Sequence, residues 1–139
     1  MEKILPSGAR LIITRADFEV CDRLLIALTK ELKEVNIDIG LKSGSLQDLL
    51  EMNIDKDGAL NTLKNALTQV ISSTLIRPVL WECMASVVYR DKKVDRNTFN
   101  SDENIGDYLT VAKEVMIANI APFFPRASSK LSILSGAST

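Results

Sequence analysis

The chain contains no histidine. That excludes a Ser–His–Asp triad, an imidazole metal site and an imidazole proton switch near neutral pH. Cysteine is almost as scarce, with Cys21 and Cys83 the only two. They are too few and too far apart for a disulfide scaffold. Both fall inside apolar helical patterns, so buried thiols in a reducing compartment are expected. A nucleophilic thiol would also need a neighbouring base, and no imidazole is available. Neither sign of charge dominates. Lys and Arg total 17 against 18 Asp and Glu, which gives no broad bias toward nucleic acid or an anionic membrane. No apolar run reaches the roughly 18 residues of a membrane span. The opening residues lack the apolar core of a signal peptide. The six glycines are scattered, so no phosphate-cradling loop is present.

What remains is a chain of 139 residues with 46% hydrophobic composition, enough for one domain around a single core. The sequence predicts a mainly α protein, a helical bundle of four to five helices with a small N-terminal β-hairpin. Residues 1–125 form the single domain, and 126–139, rich in Ser and Ala, form a flexible C-terminal tail. In the hairpin, Lys3-Ile4-Leu5 and Arg10-Leu11-Ile12-Ile13 flank a Pro6-Ser7-Gly8 turn. Thr14 with Asp17 resembles a capping box for a helix over about 15–34. That helix carries Phe18, Cys21, Leu24, Leu25, Leu28 and Leu32 at helical spacing. A short strand over 35–44 and a short helix carrying Leu46, Leu49, Leu50 and Met52 follow. A helix over about 59–76 then shows Leu60, Leu63, Leu67, Val70 and Ile71 on one stripe. Pro78 suits the first turn of another helix, holding Leu80, Trp81, Met84, Val87 and Val88. Residues 89–101 read as an exposed loop anchored by Val94 and Phe99. The last helix starts near Ser101 or Asp102 and runs to Ile120, where Pro122 and Pro125 close it.

Few motifs suggest chemistry. Asn53 to Asn61 matches the front half of an EF-hand loop, with Gly58 at the sixth position. The twelfth position should be a bidentate glutamate and is Lys64, a cation that repels Ca2+. A turn that caps the next helix is the simpler reading, so no metal and no cofactor are expected. The acid pairs Asp55/Asp57 and Asp102/Glu103 read as solvated carboxylates. The basic stretch from Tyr89 to Arg96 is interleaved with Asp91 and Asp95, which suits a solvated loop rather than a phosphate-binding surface. No catalytic residue is assigned.

The apolar content is more informative. The last helix carries a second apolar line, Val111, Ile117 and Ala118, beside its main stripe of Ile105, Tyr108, Leu109, Ala112, Val115, Met116 and Ile120. The stretch from Ile117 to Phe124 is nearly all apolar. Two readings fit: a central helix buried on every side, or a face reserved for another chain. The second makes Trp81, Met84, Ile117, Ile120, Phe123 and Phe124 the candidate partner-binding residues. Plain core packing is the alternative for each of them.

Several blocks together resemble a known family. They are Leu80-Trp81-Glu82-Cys83-Met84, Tyr89 with Lys93-Val94-Asp95 and Thr98-Phe99, Asp107-Tyr108-Leu109, and Ala118-Asn119-Ile120-Ala121-Pro122-Phe123-Phe124. With the opening Ile4-Leu5-Pro6-Ser7-Gly8-Ala9, this pattern resembles the tail assembly chaperones of bacteriophages over about residues 3–125. The middle of the chain adds nothing distinctive. The resemblance implies a mostly helical, self-associating, non-enzymatic protein of the host cytoplasm. Such a chaperone coats the tape measure protein before tail tube subunits polymerise around it, and is usually absent from the finished particle. Many have a short form and a frameshifted long form whose extra domain engages the tube protein. The implied partners are thus the tape measure protein and the tail tube protein, with no nucleic acid and no membrane. The alternative is a structural tail or head-tail component that stays in the virion.

Overall fold

The computed structural model describes residues 1–34 and 59–123. The strand expected over 35–44, the short helix after it, the EF-hand-like turn up to Gly58, Phe124 and the C-terminal tail all lie outside the described residues.

The N-terminal hairpin forms where the sequence places it. β1 (Glu2–Ile4) pairs antiparallel with β2 (Arg10–Ile13), with Lys3 opposite Leu11. The Leu5 N–H donates to the Ala9 carbonyl at 2.8 Å, and Gly8 closes the turn at φ +92°, a conformation that glycine adopts without a Cβ penalty.

The sheet does not stop there. β3 (Val87–Tyr89) pairs with β2, and β4 (Lys92–Lys93) pairs with β3, giving a four-stranded antiparallel sheet in the order β1-β2-β3-β4. The fold is therefore mixed, and the expectation of a mainly helical bundle is overturned. The expected helix through Val88 ends at Met84, and the chain re-enters as Val87-Val88-Tyr89, residue types that favour a half-buried pleated surface. Part of the expected 89–101 loop is sheet as well. The β3–β4 connection turns on Arg90 at φ +52° and Asp91 at φ +67°. Two successive positive φ values give a type I′ geometry without the usual Asn-Gly.

Five helices appear among the described residues. α1 (Phe18–Glu34) starts later than the Thr14 reading, and the Asp17 carbonyl accepts its first amide from Cys21 at 3.0 Å. α2 (Ala59–Val70) ends before the expected 76, because the Ser72-Ser73-Thr74 cluster offers competing bonds. There the Ser73 hydroxyl accepts from the Leu75 N–H at 3.1 Å. α3 (Ile76–Met84) follows, with Pro78 in its first turn. The expected single last helix is broken at Gly106-Asp107 into α4 (Asp102–Ile105) and α5 (Tyr108–Ile120). Ser101 caps α4 by accepting from the Asn104 N–H at 3.1 Å.

α5 is the centre of the molecule. Val111, Ala112, Val115, Met116, Ile117 and Ile120 are all buried, and the helix touches α1, α2, α3 and β2. Of its second apolar line, Val111 and Ile117 are buried and Ala118 is half-buried, so that line is largely spent on the core, while Leu109 of the main stripe stays 46% exposed. The buried reading holds for most of this helix. Val94 and Phe99 are buried anchors, as the sequence suggested.

Candidate docking groove

The expected contact residues do not share a surface. Met84 and Ile120 are 0% exposed and Ile117 is 5% exposed, so these three are core in the folded chain. Trp81 is half-buried, stacked on Tyr108 at 6.5 Å between ring centroids. The Arg96 guanidinium lies 4.6 Å over its ring, a cation–π lid that covers the indole. Phe124 lies outside the described residues. Phe123 alone of the six is both described and placed at an open apolar edge.

Phe123 sits in a one-turn 3-10 helix (Ala121–Phe123) that continues α5. Its ring faces that of Phe18, at the start of α1, at 6.0 Å and a 51° tilt. Phe18 is 71% exposed, the most exposed large apolar side chain among the described residues. Between them runs an open groove of about 230 Å3 lined by Arg15, Phe18, Cys21, Asn119, Pro122 and Phe123. Ile26, 60% exposed, stands further along α1. Phe18, Asp22 and Ile26 are four residues apart, so they follow one another along one side of the helix.

Asn119 ties the floor of the groove together. Asn119 is fully buried, and its Oδ1 accepts from the Ala16 N–H at 2.8 Å and from the Cys21 thiol at 3.3 Å. Its Nδ2 donates to the Val115 carbonyl at 2.7 Å. One side chain thus ties the lead-in to α1 onto α5 and fixes the spacing of the two phenylalanines. The Cys21 thiol is held above its ordinary pKa by burial, partly offset by Arg15, and Cys83 is pushed up to about 12, chiefly by burial. Both stay protonated at neutral pH, consistent with the buried, unreactive thiols expected.

Arg15 is the charged residue among those lining the groove. Asp17, Glu19 and Asp22 neighbour Phe18 in the chain and Lys30 follows Ile26 four residues on, so charges of both signs border α1, and none of these five is in an ion pair among the described residues. Arg23, the next cation on α1, is engaged with Glu82 of α3 at 2.6 Å.

Two other polar clusters have structural work. Asp107 Oδ2 accepts from the Tyr89 hydroxyl at 2.5 Å and from the Ser7 hydroxyl at 2.8 Å, which binds the hairpin turn, β3 and the start of α5 together. Glu114, 1% exposed on α5, takes Lys3 at 2.8 Å and Lys64 at 3.1 Å on the same oxygen, while its Oε2 has no partner. A polar cleft beside β3–β4 is lined by Arg90, Lys92 and Lys93 but also by Asp95 and Glu103, so neither sign prevails there. Among the described residues no group of three acidic or thiol side chains is placed to hold a metal ion, and no helix is long and apolar enough to cross a membrane.

Sequence reasoning missed Phe18 and Ile26. It assigned Phe18 to the buried stripe of α1. A usable signal was present: Leu24-Leu25-Ile26 cannot all face one side of a helix, and Leu24 is the member that is fully buried. No protein-family model, no curated protein and no solved structure matches this chain.

Proposed function

We propose that this chain is a tail assembly chaperone of a bacteriophage, which grips the tape measure protein through an apolar surface while the tail is built. The observation that carries the reading is the Phe18–Phe123 groove: an exposed Phe18 ring beside the partly buried Phe123 ring at the edge of the core. The residues that resemble the family supply much of it. Asn119, Pro122 and Phe123 come from the Ala118–Phe124 block, and Glu82 of the Trp-Glu-Cys-Met block anchors α1 through Arg23. A helical client laid into such a groove makes modest contacts, and many copies along one long client multiply them. The contact residues in this reading are Phe18, Ile26, Pro122 and Phe123, in place of the buried Met84, Ile117 and Ile120. The protein acts in the host cytoplasm, self-associates along its client and gives way to tail tube subunits.

Co-expression with the cognate tape measure protein tests this. The two are expected to copurify, and Phe18→Asp is expected to abolish the complex while leaving the fold intact by circular dichroism. A folded wild-type protein that leaves the tape measure protein insoluble and unbound overturns the proposal. Mass spectrometry of purified particles addresses the retained-component alternative, since a stoichiometric band there favours a virion component and its absence favours the chaperone.

A further inference from the structure

Only one face of the sheet lines the core. Leu11 and Ile13 of β2 lie opposite Tyr89 and Val87 of β3, and all four are buried. Directly paired residues share a face, so the alternate pair, Ile12 and Val88, points the other way. The ladder extends that outer row to both edges. Glu2 of β1 lies opposite Ile12, and Lys93 of β4 lies opposite Val88. The row therefore runs acid, apolar, apolar, base across all four strands. Ile12 and Val88 are half-buried, and Ile4 stands on the same face at 60% exposure, beside Arg10. A one-sided antiparallel sheet ordinarily carries polar side chains on its open face. Three β-branched residues there gain from being covered.

The charges say what covers them. A second copy turned by 180° about an axis parallel to the strands, between β2 and β3, lays its β4 over β1. Glu2 then faces Lys93 of the second copy, Ile12 faces its Val88, and each contact occurs twice. Sheets stacked with aligned strands sit about 10 Å apart, a gap that a glutamate and a lysine span together. Glu2 already holds Arg10 of its own chain in an exposed pair, whereas Lys93 has no ion-pair partner among the described residues.

We propose that this outer sheet face is a self-pairing surface, on which a second copy of the chain packs by two-fold symmetry with Glu2 against Lys93 and Ile12 against Val88. Such an interface is isologous, so one row serves both copies. A uniformly charged surface meets one end of the row with like charge, and only a face with the reverse order matches both ends. The ladder spans only about 14 Å across the strands, too little for the roughly 800 Å2 per partner of a stable interface, so the pair is weak and forms as concentration rises. The pairing uses none of the residues of the Phe18–Phe123 groove and stands without a client. Copies crowded on one long client meet at effective concentrations of about a millimolar, where weak faces pair.

Sedimentation of the full chain between about 10 µM and 1 mM tests this, and wild type is expected to pass from monomer toward dimer over that range. Glu2→Lys and Lys93→Glu, each alone, are expected to associate at least about tenfold more weakly, because both rim contacts become like-charged. An equimolar mixture of the two variants is expected to regain the wild-type association, since each supplies the charge that the other lacks. Neither a loss of fold nor the lost Glu2–Arg10 pair imitates that recovery. A carbodiimide crosslink between Glu2 and Lys93 is expected to join two copies, because within one chain the two lie three strands apart, about 14 Å. Phe18→Asp is expected to leave the association unchanged. A wild type that stays monomeric throughout, a single variant that associates as well as wild type, a mixture as weak as its components, or an association abolished by Phe18→Asp overturns the proposal.

Discussion

Replacing Glu114 tests the polar centre of the fold. Its carboxylate is buried on α5 with Lys3 of β1 and Lys64 of α2 on one oxygen and nothing on the other. Glu114→Gln keeps the shape and removes the charge, leaving two ammonium groups facing each other across an amide. Loss of one member of a buried pair costs about 3–5 kcal/mol, because the charge left behind is uncompensated. The two lysine side chains are 18% and 24% exposed, so they regain some water. A loss of about 2–4 kcal/mol is therefore expected, roughly 10 °C in Tm for a chain of this size. The triple change Lys3→Met, Glu114→Leu, Lys64→Met removes every charge at once and keeps the volume. It is expected to return stability to within about 1 kcal/mol of wild type, or above it. Urea and thermal unfolding followed by circular dichroism read both. A Glu114→Gln variant within about 0.5 kcal/mol of wild type, or a triple variant as unstable as the single one, refutes the reasoning.

Cys83 makes a pH-dependent contribution of known sign. Its folded-state pKa is raised from the ordinary 9.0 to about 12, chiefly by burial, so above pH 9 the unfolded thiol loses its proton while the folded one keeps it. The contribution is complete below pH 9 and is lost as pH climbs toward 12, at up to about 1.4 kcal/mol per pH unit. Comparison of urea midpoints for wild type and Cys83→Ala across pH 8–10.5 is expected to show the steeper fall in wild type, and parallel slopes contradict it. Asp91 sits at φ +67° in the β3–β4 turn, where a Cβ is strained. Asp91→Gly is expected to stabilise the fold by about 0.5–1 kcal/mol, since the exposed Arg10 pair that it loses contributes little. A fall in Tm on that change would place the turn's stability elsewhere.

The helices and the first hairpin were legible because their signals are local. Cys21, Leu24, Leu28 and Leu32 repeat at helical spacing and are buried together, and Pro6 with Gly8 marks the turn that forms. The sheet beyond β2 was not legible. Val87-Val88-Tyr89 carries on the apolar stripe of α3 without a break in composition, and its partner strand is about 75 residues back in the chain. The turn after it uses Arg90 and Asp91, which carry no glycine signature. The break in the last helix rests on Gly106 and on Asp107, whose carboxylate is bound by Tyr89 and Ser7 from distant segments. The site was half legible. Phe123 stood out in an apolar run, but its partner Phe18 looked like core because helical periodicity says which residues share a face and not where the core ends. Met84, Ile117 and Ile120 were read as surplus because a helix buried on every side has the same composition as one with a spare face.

The most direct measurement places a photo-crosslinking amino acid at position 18 and, separately, at the exposed Lys92, and irradiates cells that co-express the tape measure protein. A crosslink from position 18 to the tape measure protein, and none from position 92, is the outcome expected if the Phe18–Phe123 groove grips the client. A client captured equally from both positions, or from neither while the complex still forms, contradicts that assignment.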